Sequence, residues 1–75
     1  MWTVREWDDQ EGTTYTDFPT YAEAKRYFDD MVTLTITEWK REGWKKEEIK
    51  EALADILIGN NKWMDWQYEM EIVKV

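Results

Sequence analysis

Neither Cys nor His occurs anywhere in this chain of 75 residues, and that double absence constrains its fold more than any motif. A domain this short buries a smaller share of its surface than a larger one, and many chains of this size add disulfides or a structural metal. Here the thiolate and imidazole ligands for either device are missing, so packing alone must hold the fold. Aromatic bulk takes their place, with six Trp, four Tyr and two Phe. Each buried aromatic removes about 150–250 Å² from water, so a few suffice to anchor a small core. The length leaves room for one such core, and residues 1–75 read as a single domain.

The missing residue types also bound the chemistry. Ser is absent as well, so hydroxyl and thiol triads could be built only on Thr. Glycines 12, 43 and 59 are too scattered to form a phosphate-cradling loop, and no dinucleotide or P-loop motif occurs. The composition points away from an enzyme and implies no cofactor and no metal. Asp8, Asp9 and Glu11 precede Gly12, but their spacing misses the ligand pattern of a calcium loop and reads as a solvated turn.

Periodicity places the elements. Residues 2–8 read as a strand with Trp2, Val4 and Glu6 on one face and Thr3, Arg5 and Trp7 on the other. A polar turn ending at Gly12 leads to a second strand, Thr13 to Phe18, so the two should form a hairpin. Pro19-Thr20 then opens a helix, with Thr20 and Glu23 spaced as a capping box. Its apolar stripe runs through Ala24, Phe28, Met31, Val32, Ile36 and Trp39, and Gly43 suits its left-handed end. Val32 to Thr37 alternates apolar residues with Thr and could instead be a strand; one helix over 20–42 is preferred, since no turn residue interrupts it.

A second helix over 46–58 presents Ile49, Ala52, Leu53, Ile56 and Leu57 on one face. Glu47 and Glu48 suit its start, Lys45 is a poor cap, and Trp44 with Ile49 is spaced as a hydrophobic staple. Gly59-Asn60-Asn61 ends it, Lys62 to Asp65 reads as a loop, and 66–75 as a final strand with Trp66, Tyr68, Met70 and Ile72 facing inward. The expected fold is therefore α+β, in the order ββααβ, with a three-stranded sheet and both helices on one face. Its core should contain Trp66, Met70, Phe28, Trp39, Leu53 and Ile56. Trp7, Trp44 and the loop residue Trp63 fall outside that core and are candidates for a contact surface.

Charge is uneven along the chain. The net charge is −7, which disfavours binding to a phosphate backbone and favours a basic partner. Most of the excess lies in the N-terminal hairpin, whereas Lys40, Arg41, Lys45, Lys46 and Lys50 balance the acids around the joint between the helices. Those lysines lie among Glu47, Glu48, Glu51 and Asp55, which would oppose phosphates, so the joint reads as a solvated face rather than a DNA reader. Pairing of the last strand with the hairpin would put Glu69 and Glu71 beside Arg5 and Trp7 on the open sheet face. Trp7, Asp8, Asp9, Glu11, Asp17, Glu69, Glu71 and Trp63 are thus the expected partner-binding residues.

No motif assigns the chain to a family. In size, acidity and lack of active-site residues it resembles the short Cys-poor proteins that phages and mobile elements encode to block host machinery, anti-CRISPR proteins among them. That resemblance implies a non-enzymatic inhibitor docking on a basic, nucleic-acid-binding surface of a host protein, and it carries no individual residue across. The alternatives are a small structural or regulatory interaction module, or a nucleic-acid-binding regulator. The N-terminus lacks the basic start and apolar run of a signal peptide. Runs such as Ile56-Leu57-Ile58 fall far short of the roughly 20 residues that span a bilayer. A cytoplasmic monomer or homodimer is expected, without direct contact to nucleic acid or membrane.

Overall fold

The period-two pattern at the N-terminus becomes a hairpin in the computed structural model, which describes residues 1–75. Strands β1 (Trp2–Asp8) and β2 (Gly12–Phe18) pair antiparallel from Trp2 opposite Phe18 to Asp8 opposite Gly12. The turn is fastened from within: the Asp8 carboxylate accepts from the backbone N–H of Gln10 and Glu11 at 2.8 and 3.3 Å. Gly12 supplies the positive φ of +81° that closes it.

Helix α1 (Tyr21–Arg41) follows, and the Val32–Thr37 stretch lies inside it. The three threonines there are accommodated by bonding back into the helix: Thr33, Thr35 and Thr37 donate to the carbonyls of Asp29, Met31 and Thr33. At its start only half of the expected capping box forms, with Thr20 Oγ1 accepting from Glu23 N–H. Its end is a complete Schellman motif. Gly43 at φ +94° lets Trp44 N–H reach the Trp39 carbonyl and Gly43 N–H the Lys40 carbonyl. The apolar contact that accompanies this motif is the stack of Trp44 on Trp39, 4.6 Å apart and 9° from parallel. Trp44 thus takes part in the cap of α1.

Helix α2 (Lys46–Ile56) is shorter than its apolar stripe implied. Glu48 compensates for the poor cap residue by accepting from Lys45 N–H at 2.9 Å. Leu57-Ile58 continue the stripe in sequence but are extended, forming β3 (Leu57–Ile58), which pairs with β4 (Lys62–Met64). Gly59-Asn60-Asn61, expected to end the helix, is instead the loop of this hairpin, since the helix has already ended at Ile56. The last strand, β5 (Tyr68–Lys74), pairs with β1 on one side and β4 on the other.

The class is α+β, but the order is ββααβββ, and the sheet has five antiparallel strands in the order β2-β1-β5-β4-β3 rather than three. The two added strands were hidden because one is two residues long and the other looked like a loop. Val4, Ala24, Phe28, Trp63, Met70 and Ile72 form the core between the sheet and the helices, and Trp39, Leu53 and Ile56 pack against it. Phe28 and Met70 occupy the interior as expected. Trp63 and Trp66 exchange the places expected of them. Trp63 is 2 % exposed, opposite Met70 on the covered face, whereas Trp66 is 84 % exposed.

The cause is a turn at residues 65–68. Asp65 Oδ1 accepts from the N–H of Gln67 and Tyr68 at 2.7 and 2.8 Å, and Asp65 N–H donates to the Tyr68 carbonyl. This Asp-initiated turn breaks the alternation that would have continued from Tyr68 back to Trp66. The molecule measures 38 × 27 × 19 Å. Its accessible surface of 5536 Å² exceeds the ~4,900 Å² typical of a folded chain of this mass, because one sheet face carries no covering layer. No helix is long and apolar enough to cross a membrane.

Candidate protein-binding surface

The uncovered sheet face collects the odd-numbered residues of β1, and it is less acidic than expected. Arg5 Nη2 lies 3.7 Å from both Glu69 and Glu71, and Lys62 Nζ lies 3.6 Å from Glu71. The second cation comes from β4, read from sequence as a loop, so its effect on the face could not be anticipated. Trp7 sits on this face between Thr13 and Glu69, half-buried. Asp17 belongs to the same face but stands near the far end of β2 from the turn, about 15 Å or more along the strand. The expected partner-binding set therefore divides. Glu69 and Glu71 are engaged with cations, Asp17 stands apart, and Trp63 offers no surface because it lies in the core.

Asp8, Asp9 and Glu11 do gather, at the end of the sheet. The turn between β4 and β5 comes to the same place: Asp9 N–H donates to the Gln67 carbonyl at 3.3 Å. A concavity of about 300 Å³ joins the two turns, lined by Asp8, Asp9, Gln10, Asp65, Gln67 and Tyr68. None of Asp8, Asp9, Glu11 or Asp65 is in an ion pair; the chain's ion pairs use Arg5, Lys25 and Lys62 elsewhere. The carboxylates are not arranged to hold a metal ion. Instead they form an acidic rim in which Asp9 and Glu11 are exposed and Asp8 and Asp65 half-buried, with Trp66 projecting from its edge.

Just inside the rim, the covered face carries Glu6. Glu6 points toward the helices, where its carboxylate accepts from Tyr27 Oη of α1 at 2.8 Å and from Tyr68 Oη of β5. Burial, reinforced by these bonds to Glu6, raises both hydroxyl pKa values above the ordinary 10, that of Tyr68 strongly. Both tyrosines thus remain donors throughout the neutral range, and the clasp ties α1 to the sheet directly behind the acidic end. No buried polar side-chain atom lacks a partner.

Beyond Trp66 the surface continues into a cleft of about 370 Å³ between the 65–67 turn and the ends of the helices. Trp39, Trp44, Ala52 and Ile56 supply its apolar walls, and Asp55, Asp65 and Gln67 its polar ones. Sequence reasoning missed Asp65, Asp55 and the surface role of Trp66. The available signal was Asp65 itself, a turn initiator between the apolar pair Trp63-Met64 and the alternating segment from Tyr68.

No family model matches the chain, and neither a curated protein nor a solved structure matches it.

Proposed function

We propose that this protein is a non-enzymatic binding protein that docks the acidic end of its sheet on a basic surface of a protein partner. The observation that carries this reading is the convergence of two turns into a rim of unpaired carboxylates, Asp8, Asp9, Glu11 and Asp65, with the exposed Trp66 at its edge. Unpaired charge steers association, and an aromatic on a rigid turn supplies the contact that holds a complex. A protein surface built to hold phosphate groups meets both requirements, so the partner proposed is a nucleic-acid-binding protein and the role an inhibitor of the kind phages and mobile elements encode, acting in the cytoplasm.

The test uses the intact chain as bait, beside a variant carrying Asp9→Lys and Glu11→Lys. Asp8 is kept because it fastens the turn. Capture of a basic nucleic-acid-binding protein by wild type, lost in the variant and weakened by salt, is the expected result. Capture unaffected by the substitutions would overturn the docking surface.

A second reading, a self-associating interaction module, is favoured by β2. This seven-residue edge strand is largely exposed, with Asp17 its only charged residue and no Pro within it, so it lacks most of the devices that keep edges from pairing. Light scattering across a concentration series distinguishes the two, since edge pairing would produce a dimer without any partner.

A further inference from the structure

We propose that the cleft between Trp66 and the stacked Trp39–Trp44 pair is a receptor for one cationic side chain, an arginine or lysine projecting from a basic protein segment. That the cation arrives on the docking partner rests on the reading above; recognition of the cation itself does not.

The walls specify the ligand. The volume of about 370 Å³ lies at the small end of the roughly 300–1,000 Å³ of small-ligand sites, suited to a single extended group. Trp39 covers one face of Trp44 in a near-parallel stack at 4.6 Å, and Trp44 remains 38 % exposed. Trp66, on the turn, is almost wholly free of protein contact. Trp44 and Trp66 thus leave two exposed indoles on one cleft, a contiguous patch rather than scattered apolar residues. Ring faces attract cations, Trp most strongly of the three aromatics.

The polar groups remove the ambiguity between an apolar and a charged occupant. Asp55 lies in the wall with no ion-pair partner, and no Lys or Arg lines the cleft. Asp55 is exposed, so an aliphatic side chain in the cleft would gain nothing from it, whereas a guanidinium or ammonium gives it a charge-assisted hydrogen bond. Asp65 is immobilised by the N–H groups of Gln67 and Tyr68 on one oxygen and by the indole of Trp63 on the other, at 3.0 Å. Three of its roughly four acceptor positions are thereby filled, leaving capacity for one further donor. Ile56 and Ala52 suit the methylene stem that both cationic side chains carry.

The test follows the indole N–H resonances of the intact protein while the blocked tripeptide Ac-Gly-Arg-Gly-NH2 is added. Its neutral isostere with citrulline and its leucine counterpart are titrated alongside. The Trp44 and Trp66 signals should move saturably with the arginine peptide, while Trp63, buried against Asp65, stays in place and reports that the fold is intact. Citrulline should bind about fivefold or more weakly, and Asp55→Asn or Trp66→Ala, both at exposed positions, should weaken arginine binding by a similar factor. Equal binding of the leucine or citrulline peptide would overturn the proposal, as would an arginine peptide that leaves both indoles unmoved. Arginine-specific shifts in a protein whose partner capture ignores Asp9→Lys and Glu11→Lys would support the cleft and sink the docking surface. Capture that depends on those charges, with no response at the cleft, would do the reverse.

Discussion

The covered face of the sheet and its acidic end adjoin, Glu6 and Asp8 being two residues apart on β1, and they treat charge and aromatic groups in opposite ways. On the covered face each buried polar group has a partner: Glu6 holds two tyrosine hydroxyls and Trp63 donates to Asp65. At the end, Asp9, Glu11 and Trp66 are exposed and the acids unpaired. The two tryptophans make the contrast sharp, being three residues apart and 2 % against 84 % exposed. The first region is organised by folding. The second is tolerated by it, which is what a surface kept for another molecule requires.

The widest difference is expected between those tryptophans. Only eight of the 75 residues are buried, so losing one large core side chain removes much of what holds the molecule together. Trp63→Ala should cost about 3–5 kcal/mol in urea melts, a large part of the ~5–15 kcal/mol typical of a domain. Trp66→Ala should change stability by less than about 0.5 kcal/mol. Comparable losses from both would erase the distinction between the regions.

Next in size is the Glu6 clasp. Glu6→Ala leaves the hydroxyls of Tyr27 and Tyr68 without their acceptor and should cost about 1–3 kcal/mol. The tyrosines also give the covered region a pH signature. Their folded-state pKa values lie above the unfolded value near 10, so the protonated folded form is favoured. The corresponding stability is complete below pH 10 and declines as pH rises from there toward the folded values, because the unfolded chain then releases protons that the folded chain keeps. Melts between pH 8 and 11 should show that decline, and Tyr68→Phe should flatten it. A Tyr68→Phe variant with the wild-type profile would show that the clasp is not what titrates.

Much of this organisation was legible in the sequence, and the failures have local causes. The hairpin, the long helix and the apolar stripe of α2 follow from spacing, because each spans enough residues for a period to show. The β3–β4 hairpin does not, since Leu57-Ile58 is too short to carry a period and continues the helical stripe of Ile56. Trp63 and Trp66 were exchanged because alternation cannot see a turn held by one carboxylate, and Asp65 shifts everything before it. The acidic excess of the hairpin was visible, yet whether a carboxylate is free depends on its neighbours across the sheet. Lys62 reaches Glu71 only because β4 exists.

The open face gives a smaller effect that sharpens the comparison from a third side. Arg5 stands 3.7 Å from each of two partly solvated carboxylates, a separation at which such pairs contribute under about 1 kcal/mol. Arg5→Ala should cost no more than that, plus a little for the packing of its stem. It would also leave Glu69 and Glu71 with only Lys62 between them, making the face as acidic as the sequence had implied. If partner binding then tightens, the face contributes to docking; unchanged binding leaves the proposed docking at the end of the sheet.

The smallest expected effect, and the one most informative about the acidic end, comes from removing its charges. Asp9 and Glu11 are exposed, neither is in an ion pair, and both stand near Asp8 in a molecule of net charge −7. Neutralising them as Asp9→Asn and Glu11→Gln removes repulsion and breaks no hydrogen bond, because it is Asp8 that holds the turn. Stability should therefore stay within about 0.5 kcal/mol of wild type, any change being a gain that shrinks as salt is added, since the Debye length falls from about 30 Å at 0.01 M to about 8 Å at physiological ionic strength. Asp8→Asn in the same assay should lose stability instead, because it weakens the acceptor for two backbone amides. Urea melts of the three variants at low and physiological salt separate these cases. Loss of stability on neutralising Asp9 and Glu11 would mean that these acids serve the fold after all, and the division between a region organised by folding and one held free for a partner would fail at the point where it matters most.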